Sequence, residues 1–247
     1  MWSDGHCGTG SRERVNRPQA GVSGAPAIPD RRWPGRLAAW FALAGGLAAV
    51  AYLGRLAGGE PSDDVLYLWS TFIGAIVQYG VMLILILAIA HGLDRQLLAL
   101  QVPERRLRAV GLAGGALVVI IVSAAVLSQF LDAGGEQGLV PKAWDSSRAA
   151  PFIANAAVVT IAAPLVEELL YRGLGFGLLA PFVGPWPAVL ATGVAFGLAH
   201  GLVLGLPVLA IFGITLGWLR WQTGSVYPGM IVHGLFNGAA LVAALTT

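Results

Sequence analysis

Apolar residues along this chain gather into seven long blocks separated by short polar stretches. The blocks are Leu37–Ala57, Val65–Ala90, Leu107–Leu131, Ala150–Leu179, Pro187–Ala199 with a possible extension to Val203, Leu206–Trp221 and Val226–Leu245. A helix that crosses a bilayer needs about 20 apolar residues. Helices also satisfy their own backbone groups where lipid supplies no partner. The pattern therefore predicts an all-α fold, a polytopic integral membrane bundle of about seven transmembrane helices. The fourth block is long enough to cross with strong tilt, or to break near Gly173, Gly175 and Gly177. The fifth is short. Ahead of the first block, residues 1–36 are rich in Gly, Pro, Ser and Arg and hold no apolar run. They read as a disordered cytoplasmic tail, with no cleavable signal peptide. This divides the chain into a tail (1–36), N-terminal transmembrane helices (37–149) and a C-terminal transmembrane unit (150–247).

Composition narrows the class further. Of 247 residues, 56% are hydrophobic and 11% charged, and mean hydropathy is +0.73. Soluble domains carry about 25% charged residues, so an ordinary soluble enzyme is excluded, as is a disordered chain. A formal net charge of +2 gives no nucleic-acid signal. Cys7 is the sole cysteine, which rules out an intramolecular disulfide, an iron–sulfur cluster and a multi-cysteine zinc site.

Loop charges predict the orientation. The tail is arginine-rich. The first loop holds Glu60, Asp63 and Asp64 without a base, and the second holds Arg95, Arg105, Arg106 and Arg108. The third sets Lys142 and Arg148 against Asp132, Glu136 and Asp145. This alternation places the N-terminus in the cytoplasm, and the Ala/Gly/Arg-rich composition suggests a bacterial plasma membrane.

From Ala150 onward only Glu167, Glu168, Arg172 and Arg220 are charged. Ionisable residues inside spans are costly and mark function or pairing. Glu167 and Glu168 are adjacent, so they point about 100° apart on a helix. Glu168 and Arg172 are four apart and can pair on one face. Glu167 is then left without a local base, as suits a general base in chemistry on water. The other reading is a packing network between helices. His200, His233 and Asn237 are the remaining strongly polar groups inside these spans, while Asn155 and Gln222 lie near segment ends. Buried polar groups need partners, and a common polar cavity would let these satisfy one another. With these boundaries, however, His200 and His233 are offset by about 10 Å along the bundle, so a shared cavity requires the fifth span to tilt or re-enter, or one boundary to shift.

Such a cavity suits hydrolysis. Glu167 would polarise a water with help from His200, and His233 and Asn237 would donate to an oxyanion. Alternatively, Glu167, His200 and His233 would hold a divalent metal such as zinc, whose bound water attacks. HExxH and GxSxG runs are absent. A transporter relay is a rival, weakened by the lack of an internal repeat and by the confinement of the polar set to one half.

Three motifs, EExxxR at Glu167–Arg172, FxxxH at Phe196–His200 and HxxxN at His233–Asn237, closely resemble the CPBP family over residues 150–247. That family comprises the type II CAAX prenyl endopeptidases and the bacteriocin-processing or immunity (Abi) proteins. The resemblance implies an intramembrane protease in which Glu167 and His200 act on water and His233 and Asn237 stabilise the oxyanion. Glu168, Arg172 and Phe196 support them. It implies a membrane-associated protein or peptide substrate, prenylated in some members, and leaves the metal question open. A non-proteolytic immunity or scaffold protein of the same family is the alternative.

Overall fold

The computed structural model describes residues 32–58, 64–94, 96–131, 136 and 144–246. Most of the expected tail, with Cys7, lies outside the described residues. There are seven helices among the described residues and no strand: α1 (Trp33–Ala57), α2 (Trp69–Ala90), α3 (Arg106–Leu127), α4 (Ser146–Val183), α5 (Pro185–Leu198), α6 (Leu206–Thr223) and α7 (Tyr227–Thr246). They follow the seven apolar blocks closely. Five of them, α1 to α4 and α7, are long and apolar enough to cross a membrane. α5, with 14 residues, is about 21 Å long, well short of the ~30 Å hydrocarbon core. Phe41, Val50, Ile73, Val77, Val118 and Ile121 project outward from α1–α3, as lipid-facing surfaces do.

Contacts at the helix ends define an antiparallel bundle with two distinct ends. At one, Arg36 of α1 donates to the His91 carbonyl after α2 (2.9 Å), and Arg108 of α3 donates to Gln222 of α6 (3.2 Å). At the other, Arg148 bridges Asp64 (3.1 Å) and Asp145 (2.6 Å), and Arg55 of α1 pairs with Glu136 (2.7 Å).

α4 is the bundle's axis and runs unbroken past Gly173, Gly175 and Gly177. It is widened instead, into π turns at Val158–Ala162 and Leu169–Gly175. The first has a covalent cause. Pro164 lacks the N–H that would bond the Thr160 carbonyl, and its ring crowds that carbonyl. The second is supported by α1. The Trp40 indole donates to the Leu170 carbonyl (2.9 Å) and Trp33 donates to Leu178 (3.1 Å). The glycines serve close approach rather than breakage. A Cβ on Gly175 would lie 2.5 Å from the Trp40 ring, and one on Gly177 would lie 2.7 Å from Leu97.

The turn between α5 and α6 is clamped by elements from the N-terminal half. Gly201 has φ +66°, and a Cβ there would meet the Ala51 backbone at 2.9 Å. Tyr52 donates to the Leu202 carbonyl (3.0 Å). The Glu136 carboxylate accepts from the N–H groups of Val203 (2.9 Å) and Gly205 (2.8 Å), capping the start of α6. Burial pushes the Glu136 carboxyl up. The N–H donors and Arg55 outweigh that and hold its pKa below the ordinary carboxylate value. A carboxyl held low stabilises the fold above its unfolded-state pKa and loses that contribution as pH falls through the folded one. Glu136→Gln should therefore lower thermal stability at pH 7 by about 1–3 kcal/mol. The gap from wild type should close as pH drops below the ordinary carboxylate range. A gap that does not narrow as pH falls, in detergent, would contradict the latch.

Candidate intramembrane active site

One cavity of about 310 Å³ lies inside the bundle, with Glu167, Tyr171, Phe196, His200, His233 and Asn237 in its walls. Sequence-predicted residues from three separate blocks thus meet in one space. α5 stops at Leu198, His200 sits in the turn beyond it, and the cavity spans the interval between the two histidines. The Phe196 ring then lies 4.7 Å from the His200 ring and 5.6 Å from the His233 ring.

α4 presents two faces to two tasks. Val159, Ala163, Glu167 and Tyr171 all line the cavity at four-residue spacing. An α-helix over-rotates by about 40° at each four-residue step, and the wider π turns offset this drift, keeping the stripe on one side. Glu168 and Arg172 occupy the neighbouring face, both with side chains 0% exposed and paired at 2.8 Å, as their spacing predicted. Arg172 also donates to the Gly213 carbonyl (2.8 Å) and stacks over Phe196 at 4.6 Å. Gly213 can offer that carbonyl because α5 and α6 cross at a glycine pair. A Cβ on Gly213 would lie 2.4 Å from the Gly193 oxygen.

Glu168 does a second job. Its Oε1 lies 3.2 Å from His233 Nδ1, so Nδ1 carries a proton and donates it. His233 Nε2 then faces Glu167 Oε2 at 3.8 Å, too far for a direct hydrogen bond and suited to one bridging water. Glu168 Oε2 has no hydrogen-bond partner among the described residues and packs against Gly229, where a Cβ would stand 2.8 Å away. Glu167 is held from the other side by Tyr79 of α2, whose hydroxyl donates to Oε1 at 2.9 Å. His200 Nδ1 is 2.8 Å from the Phe196 carbonyl. This assigns its proton to Nδ1 and leaves Nε2 basic. Asn237 donates to the Val159 carbonyl (2.9 Å) within the first π turn, which leaves its second N–H uncommitted.

Tyr79 and Tyr171 were missed by sequence reasoning. A Gln78–Tyr79 pair inside an aliphatic block was the available signal for the first. For the second it was the four-residue spacing from Glu167. Glu167, His200 and His233 do not fit a metal site. No group of three or more His, Cys, Asp or Glu among the described residues is placed to hold an ion.

Residues 149–239 match a family model described as Type II CAAX prenyl endopeptidase Rce1-like. This is the segment that carries all three motifs, and over it the chain is similar to that family of membrane peptidases. The match covers less than half of the chain and none of α1–α3. No curated protein and no solved structure matched.

Removing one partner of a buried ion pair leaves a charge uncompensated, at a cost of about 3–5 kcal/mol. Arg172→Met should destabilise the protein by about that amount in detergent unfolding. A loss below about 1 kcal/mol, the scale of a solvent-exposed pair, would contradict this role.

Proposed function

We propose that the protein is an intramembrane endopeptidase that hydrolyses a peptide bond in a membrane-associated protein or peptide. The observation that carries this reading is the state of Glu167. It is a carboxylate deep in an apolar bundle and faces a cavity large enough for water. Tyr79 and a histidine address it, and no arginine among the described residues is bonded to it. A structural carboxylate would be neutralised as Glu168 is.

In this mechanism a water bound between Glu167 and His233 attacks the scissile carbonyl. Glu167 takes the water's proton as the oxygen–carbon bond forms. Charge moves to the carbonyl oxygen, where the free Asn237 N–H donates to it. The tetrahedral intermediate then collapses, and the leaving amine takes the proton from Glu167. His200, basic at Nε2, holds the water or the leaving group. Glu168 and Arg172 act through His233, whose tautomer they set. No step passes through a metal.

The test is peptide cleavage by purified protein in detergent, on farnesylated and unmodified peptides. Glu167→Ala should reduce kcat by at least about 100-fold. Tyr79→Phe, which frees the carboxylate, should reduce it by about 10-fold. A strong chelator should leave the rate unchanged, and loss of activity restored by zinc would contradict the metal-free route. Unchanged cleavage in Glu167→Ala would overturn the mechanism.

A further inference from the structure

The cavity and the basic charge lie at opposite ends of the bundle. The arginine end carries Arg32, Arg36, Arg105, Arg106 and Arg108 around the start of α1 and the link from α2 to α3, with Arg220 in the last turn of α6. The connections from α1 to α2 and from α3 to α4 hold six acids, Glu60, Asp63, Asp64, Asp132, Glu136 and Asp145, against Lys142, with Arg55 and Arg148 on the flanking helix turns. Clusters of arginine beside spans stay in the cytoplasm. The cavity extends the other way. From Glu167 its wall runs along α7 through Asn237 and Leu241 to Ala244, and reaches Leu202 in the turn clamped by Glu136. Ala244 and Leu202 belong to the acidic end.

We propose that the site is entered from the non-cytoplasmic face and takes a membrane-anchored polypeptide presented on that side. This rests on the peptidase reading and deepens it. It excludes the prenylated C-terminus of a cytosolic protein as the natural substrate, although a prenylated peptide supplied from the cavity side would still reach the site.

The experiment uses the full chain with Cys7→Ser and one added cysteine, either Ala244→Cys in the cavity wall or Val102→Cys at the arginine end. Val102 is exposed and remote from the cavity. In intact cells a bulky membrane-impermeant maleimide should label Ala244→Cys, and should reach Val102→Cys only after permeabilisation. In proteoliposomes, external labelling of Ala244→Cys should abolish cleavage of external peptides, while labelling of Val102→Cys should leave it unchanged. Labelling of Val102→Cys alone in intact cells would overturn the proposal. Correct labelling without any cleavage would overturn the peptidase reading and leave the sidedness standing.

Discussion

The site depends on one buried ion pair. Glu168 and Arg172 lie on the axial helix with no exposure, where an uncompensated charge costs several kcal/mol. The bundle therefore supplies partners from every side. α6 gives a backbone carbonyl through its glycine crossing with α5, α7 gives His233, and Phe196 gives an aromatic face. The pair thus orients His233 as well as satisfying itself. Since Glu168 is neutralised, the adjacent Glu167 is free to keep its carboxylate for the cavity. Two neighbouring acids differ in role because the helix turns them toward different surroundings.

The widened turns of α4 serve the same end. Pro164 frees the Thr160 carbonyl, and the first π turn also exposes the Val159 carbonyl to Asn237. Gly234 of α7 packs against Thr160 so closely that a Cβ would lie 2.5 Å from its oxygen. Asn237 and His233, one turn apart on α7, are thereby registered against α4. π turns recur at functional sites. Here their effect is to keep a four-residue stripe facing one cavity and to lock two helices in phase.

Much of this was legible from residue spacing. The seven blocks located the helices, and the interval between Glu168 and Arg172 predicted their bond. The convergence of Glu167, His200, His233 and Asn237 followed from the need of buried polar groups for partners. Other features were not legible because they depend on contacts distant in sequence. Tyr79 reaches Glu167 across 88 residues, and Glu136 caps α6 across 69. Gly175 read as a breaker, since nothing local shows that a tryptophan from α1 will rest on it. His200 read as helical, whereas the helix ends at Leu198 and Gly201 in the left-handed region turns the chain beside α1.

The central claim is that Glu168, held by Arg172, sets the tautomer of His233 so that Nε2 addresses Glu167. Nitrogen-15 NMR of histidine-labelled protein, with His233 assigned by His233→Asn, reads this directly. The account predicts a proton on Nδ1 of His233 in the wild type, and its loss as the dominant form in Glu168→Ala. A neutral His233 carrying its proton on Nε2 in the wild type, unchanged in Glu168→Ala, would contradict it.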